Sequence, residues 1–192
     1  MNLVEKDFIL DGITYRFRIY QDTFMDSPRE WDNLGTIVYD HPRYILGDIE
    51  GGPEDVPENS VRINIYAYEH GGIALSTSPF SDPWDSGQVG IIYAEKWKIL
   101  RDFNRKRISV KLIRQVMEVL ESEVSVFNQY INGDVYGYSI SRISECGCCG
   151  SQDEELIDSC TGFYGMDFED NGMLSSIEEK YRESVKKITE DL

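Results

Sequence analysis

The chain has 192 residues, enough for one domain with a sizeable core. Hydrophobic residues make up 41% of it and aromatics 12%, which excludes a disordered acidic tail. A net charge of −16 repels nucleic acid and leaves basic partners, or solubility alone, as its meaning. The charge is uneven. Lys96, Lys98, Arg101, Arg105, Lys106, Arg107, Lys111 and Arg114 share one segment with a single acid, Asp102, so Lys96–Arg114 is +7 and the remainder −23.

Two strand-like runs, Leu3–Leu10 and Ile13–Tyr20, flank Asp11-Gly12, a strong hairpin signal because both turn residues need positive φ. In the second run Ile13, Tyr15, Phe17 and Ile19 alternate with Thr14, Arg16, Arg18 and Tyr20, one face buried and one wet. Pro28 suits the first position of a helical turn over Pro28–Asn33. A strand follows over Gly35–Tyr39, ended by His41-Pro42. Asp48–Ser60 holds Gly51-Gly52-Pro53, Pro57 and five carboxylates, and is expected to be an exposed, mobile loop.

Val61–Tyr68 alternates as a strand, with Ile63, Ile65 and Ala67 on one side, and Gly71-Gly72 turns it into Ile73–Ser76. Beyond the turn-rich Pro79–Gly87, Gln88–Ala94 reads as a buried strand and Glu95–Phe103 as a short helix bearing Trp97 and Leu100. Ser109–Ile131 is the clearest helix: Leu112, Ile113, Val116, Val119, Leu120, Val124, Phe127, Tyr130 and Ile131 form a broad stripe stopped by Asn132-Gly133. Val135–Ile143 returns as a strand. Glu145–Asp170 has eight carboxylates and no Lys or Arg, and an amphipathic helix over Leu174–Leu192 carries Leu174, Ile177, Tyr181, Val185 and Ile188. The order predicts a single α+β domain over 1–192, a mostly antiparallel sheet packed by one long helix and a C-terminal helix, with 145–173 as an acidic, cysteine-containing excursion.

Met1–Leu10 lacks a basic n-region, and no apolar run approaches the ~20 residues of a membrane span, so a cytoplasmic protein with reduced or metal-bound cysteines is expected. Cys146 and Cys149 have the C-x-x-C spacing that clasps zinc, with Cys160 as a third thiol. A fourth ligand would come from Cys148, His41, His70 or a carboxylate; the alternative is reduced cysteines in a glycine-rich loop with no cofactor. His41, beside Asp40, Arg43 and Asp48, has the residue type suited to proton transfer, although a His-Pro ending a strand is commonly structural. None of G-x-S-x-G, the P-loop, H-E-x-x-H or G-x-G-x-x-G occurs.

Trp31 and Trp84 each sit in a loop with Pro and Asp, PREWDNLG and DPWDSG. One expectation is an aromatic plug pinning each loop to the core. The functional alternative is that the loops lie close together, Trp31, Asp32, Trp84 and Asp85 forming a shared rim. The basic segment is expected to neutralise acidic loops within the protein or across a homodimer contact, with phosphate binding as the alternative.

The strings SPREWDNLGT, HPRYILGD, PFSDPWDSGQVGIIYAEK and EVSVFNQYINGDVYGY resemble a family of small, functionally uncharacterised proteins carried by bacteriophages and other mobile elements. The resemblance runs from about Phe8 to Tyr164 and does not include the Cys146–Cys149 loop. It implies a setting in which acidic proteins counter host defence. The leading expectation is therefore a non-enzymatic inhibitor, a nucleic-acid charge mimic in its sharpest form. It would bind a basic, nucleic-acid-handling host protein through Asp48, Glu50, Glu54, Asp55 and Glu58 in one loop. Asp153, Glu154, Glu155, Asp158, Asp167, Glu169 and Asp170 would complete the surface. The alternatives are a small-substrate or nucleotide enzyme with a pocket around Trp31, His41 and Trp84, and a virion or assembly component.

Overall fold

Asp11 and Gly12 take positive φ (51° and 77°), the backbone that matches a two-residue turn to the strand twist. They join β1 (Asn2–Leu10) to β2 (Ile13–Gln21), as the sequence predicts. The structure is a computed structural model and describes residues 2–190. A 3-10 turn at Pro28–Glu30 leads to β3 (Thr36–Tyr39) and β4 (Ile49–Glu50). A second such turn, Pro53–Asp55, precedes β5 (Ser60–Glu69), β6 (Ile73–Ser76) and β7 (Ser86–Glu95). The helices α1 (Lys96–Asp102) and α2 (Val110–Ile131) follow. After them come β8 (Val135–Glu145), β9 (Gln152–Tyr164), α3 (Met173–Ser176) and α4 (Glu179–Thr189). The class is α+β with mostly antiparallel sheets, a long helix and a C-terminal helix.

Where the hydropathy pattern predicts one domain, the chain closes into two compact units, Asp26–Asn132 and the two ends, 1–25 with 133–192. The cause is a non-local pairing: β2 takes β8 as its second neighbour, Ile19 opposite Tyr138. Such a pairing leaves no compositional mark along the sequence.

The unit made from the two ends has a four-stranded antiparallel sheet, β1-β2-β8-β9. Tyr15, Phe17, Ile19, Tyr138 and Ile140 on one face pack with Met173, Leu174, Ile177, Tyr181 and Val185. The C-terminal helix is broken at Ile177 and Glu178, whose ψ angles of 138° and 134° are extended. Arg182 Nη2 donates to Ser175 O (3.0 Å) and Ile177 O (2.9 Å), satisfying carbonyls that the break exposes. The apolar positions of the predicted helix survive the break; Leu192 lies outside the described residues.

The expected excursion over 145–173 contains β9, which pairs with β8 through Ile143 opposite Glu154 and Tyr138 opposite Cys160. Acids are depleted in strands, so its composition hid it. Its charge is met on the outer face of the sheet. Arg18 Nε donates to Glu5 on β1 (2.7 Å) and Nη2 to Glu154 on β9 (3.0 Å), while Arg16 Nε donates to Asp7 (2.7 Å). Opposite the two arginines β8 carries only Ser139 and Ser141, small enough to let Arg18 reach across it.

The other unit has a five-stranded sheet, β4-β3-β7-β5-β6, antiparallel except for β3 with β4. Ser109 Oγ accepts from Leu112 N (3.2 Å) to start α2, and Gly133 at φ 73° ends it. Leu112, Val116, Leu120, Val124 and Phe127 pack on Ile37, Ile65, Ala67, Ile92 and Ala94. The opposite face is partly covered by Val56 against Val38, Ile91 and Tyr93. Asp48–Ser60, expected to be exposed and mobile, is therefore anchored by a strand, a 3-10 turn and a buried valine.

Leu120 is fully buried, so Leu120→Ala should cost about 2–5 kcal/mol in urea unfolding, whereas exposed Glu121→Ala should change stability by about 0.5 kcal/mol or less. The Arg18 hydrogen bonds hold the Glu5 and Glu154 carboxyls below their usual range, and Arg16 does the same for Asp7. A lowered folded value means stabilisation that is full above the unfolded value of about 4 and is lost as the pH falls through the folded one. The melting temperature should fall as the pH is lowered from 5 to 3, and fall less steeply in Arg18→Met.

Candidate functional site

Arg29 lies in the first 3-10 turn with its side chain 7% exposed. Its guanidinium grips Asp48 with two bonds, Nε to Oδ1 (3.1 Å) and Nη2 to Oδ2 (2.8 Å). Nη2 also donates to Gly35 O (2.7 Å), and Nη1 donates to Glu123 of α2 (3.2 Å). The carboxylates serve the backbone as well: Glu123 accepts from Leu34 N (2.7 Å) and Gly35 N (3.1 Å), and Asp48 from Ile37 N (2.6 Å). Burial opposes the Arg29 charge, but the Asp48 and Glu123 bonds overcome it and its pKa is raised. Gly35 lets the loop meet the helix, because a Cβ there would lie 2.6 Å from Leu120 Cδ2. SPREWDNLG is thus held by Arg29. Glu123 was legible as a carboxylate on the edge of the apolar stripe; that Arg29 would meet it was not.

The proposed rim does not form. Thr36, after the Trp31 loop, pairs with Tyr93 near the end of β7, and Asn33 O accepts from Lys98 beyond that end. Trp84 precedes Ser86, which opens β7 opposite Tyr68. Roughly 20–25 Å of strand separates the two loops. Nor is either indole a plug: Trp84 is 91% exposed and Trp31 49%. Asp32 is exposed. The second loop is shaped by Asp82, whose Oδ1 accepts from Trp84 N (2.8 Å) and Asp85 N (3.2 Å), while Asp85 Oδ2 lies 3.2 Å from His70 Nδ1.

His41 is buried and locked. Nδ1 accepts from Arg43 N (3.3 Å) and Tyr44 N (3.1 Å), leaving Nε2 to donate to Glu69 (2.8 Å). Glu69 also binds Arg43, and His41 first, then Arg43, hold its carboxyl below the usual range. Both ring nitrogens of His41 are thus engaged within the fold. A cavity of about 160 Å³ in the same unit is lined by Val38, Asp40, Gly51, Gly52, Gln88 and Gly90 and contains no histidine.

The acids expected to face a partner divide into two groups. Asp48 is taken by Arg29 and Ile37 N, and Asp55 accepts from Gly52 N (3.0 Å). Glu154 is taken by Arg18, Glu155 by Arg142 and Glu169 by Lys186. Asp158 accepts from Tyr138 Oη (3.1 Å), and Asp167 from the backbone N–H groups of Glu169 and Asp170. Glu50, Glu54, Glu58, Asp153 and Asp170 are exposed and, among the described residues, have no cationic partner. The basic segment is not consumed by acidic loops either. Arg101 binds its neighbour Asp102 and lies 5.3 Å over Trp97. Arg105, Lys106, Arg107, Lys111 and Arg114 have no acidic partner among the described residues, and the first four line an open cleft at the start of α2.

The cysteines also regroup. Cys160 lies on β9 opposite Tyr138, well along the strand from the turn that begins beyond Glu145 and Gln152. The Sγ atoms of Cys146, Cys148 and Cys149 lie within 4.8 Å of one another. Cys148, followed by its backbone N–H and that of Cys149, pulls the Cys146 thiol down to about 6; Ser151 lowers Cys149.

No family model, curated protein or solved structure matches the chain. Among the described residues, no helix is long and apolar enough to cross a membrane. Arg29→Met leaves Asp48 and Glu123 without their cation and should cost about 3–5 kcal/mol in denaturant unfolding, while Arg114→Met, exposed and without an acidic partner, should cost little.

Proposed function

We propose that this is a non-enzymatic binding protein of a phage or mobile element that holds a basic, nucleic-acid-handling host protein and so inhibits it. One observation carries it: residues 133–192 contain fourteen acids against five bases. Glu145, Asp153, Asp170 and Glu179 of that stretch are exposed with no cationic partner among the described residues. Glu50, Glu54 and Glu58 add a second acidic patch in the other unit. The resemblance of SPREWDNLG and PWDSGQVG supports the biological setting. Charge complementarity is the recognition principle, not a phosphate ladder. Asp153-Glu154-Glu155 rises ~3.4 Å per residue, near the phosphate rise of one DNA strand, but arginines neutralise the second and third members.

The unpartnered cations at the start of α2 favour a second interaction, self-association against the carboxylates of another copy. Light scattering at low ionic strength should then show a dimer that Lys106→Glu with Lys111→Glu abolishes.

The principal test is affinity capture from bacterial lysate at about 50 and 500 mM salt, where the Debye length shortens several-fold. Basic nucleic-acid-binding proteins should be retained at low salt. High salt should release them, and a variant combining Glu145→Lys, Asp153→Lys, Asp170→Lys and Glu179→Lys should not retain them. Unchanged retention under either condition would overturn the proposal.

A further inference from the structure

The β8–β9 connection spends six residues, Cys146–Ser151, where two would close a hairpin. Three of the six are cysteines. The turn is well defined: Cys146 N donates to Ser151 O (2.8 Å), Gly150 N donates to Cys146 O (2.9 Å), and Gly150 takes the left-handed φ of 71°. This geometry folds Cys148 and Cys149 back over Cys146. Cys146 Sγ and Cys148 Sγ approach to 2.9 Å, and Cys149 Sγ completes a triangle whose edges are within 4.8 Å. All four cysteines are free thiols, and 2.9 Å is well beyond the ~2.05 Å of a disulfide.

A disulfide employs two sulfurs; this turn converges three. Three sulfurs within that distance can each reach one ion at the bond lengths of metal thiolates. No histidine or carboxylate belongs to the cluster among the described residues. A closed structural zinc site takes four ligands, so the donor set is one short. An all-sulfur set of low coordination suits a soft ion, of which copper(I) is the common biological case.

We propose that the β8–β9 turn binds one copper(I) ion through Cys146, Cys148 and Cys149 as a three-thiolate site. On binding, each S–H that was still protonated gives its proton to solvent and its sulfur lone pair to the metal. Copper stays in the +1 state throughout, and no oxidant or reductant is consumed. Cys160 takes no part. The turn is at the surface, so the ion is open to exchange with other thiols. The site stands independently of the acidic partner-binding role.

The test uses the reduced full-length protein under anaerobic conditions, titrated with copper(I) against a chromophoric copper(I) chelator. Circular dichroism controls for folding. The expected result is one ion withheld from the chelator per chain. Cys160→Ser should keep it, and Cys146→Ser, Cys148→Ser and Cys149→Ser should each lose it with unchanged dichroism. Retention in Cys148→Ser would overturn the proposal in favour of a two-cysteine clasp. Loss in Cys160→Ser, or one zinc ion held with no copper(I) withheld, would also overturn it.

Discussion

A single buried cation organises the larger sheet unit. Arg29 faces two carboxylates from distant parts of the sequence, Asp48 after β3 and Glu123 on α2, and both carboxylates in turn bind backbone N–H groups. A buried charge is tolerated only when paired and hydrogen-bonded, so the three side chains and the backbone of Leu34, Gly35 and Ile37 specify one another. The loop before β3 is thereby fixed to α2, and the segment after β3 is fixed to the loop. Without the guanidinium, two carboxylates would crowd together with no cation.

The other unit solves its electrostatic problem differently. Its sheet has an acidic edge strand, and charge on an edge discourages pairing with other chains. Arg16 and Arg18, one strand in from the opposite edge, bind the acids on both sides because β8 offers serines beneath them. Much of the negative charge is thus structural, spent within the sheet and at turns. The unpaired negative charge is smaller than the composition implies, and it includes Glu50, Glu54 and Glu58 as well as Glu145, Asp153 and Asp170. In the basic segment, Arg101 binds Asp102, and Arg105, Lys106, Arg107, Lys111 and Arg114 have no acidic partner among the described residues.

Local features were legible. The Asp11-Gly12 hairpin, the stripe of α2 with its Ser109 and Gly133 boundaries, and the alternation of β5 all follow from φ preferences and periodicity. The candidate site was less so. Trp31 and Trp84 share a sequence pattern but sit at opposite ends of β7, since an antiparallel strand separates whatever precedes it from whatever pairs with its far end. His41 has a catalytic residue type, yet the turn it caps uses Nδ1 and Glu69 uses Nε2. The C-x-x-C spacing marked the turn, but the third sulfur brought close to Cys146 and Cys149 is Cys148, because β9 carries Cys160 away from them.

The sequence by itself determined the fold class, the positions of most elements, the acidic character and the presence of a thiol-bearing turn, because these depend on neighbours within a few residues. Only the tertiary structure decided that there are two units, which acids and bases are consumed, and which three sulfurs converge. Those outcomes depend on β2 meeting β8, Arg29 meeting Glu123, and the left-handed residue that closes the β8–β9 turn. Such contacts are set by where the chain returns in space, which no local pattern encodes.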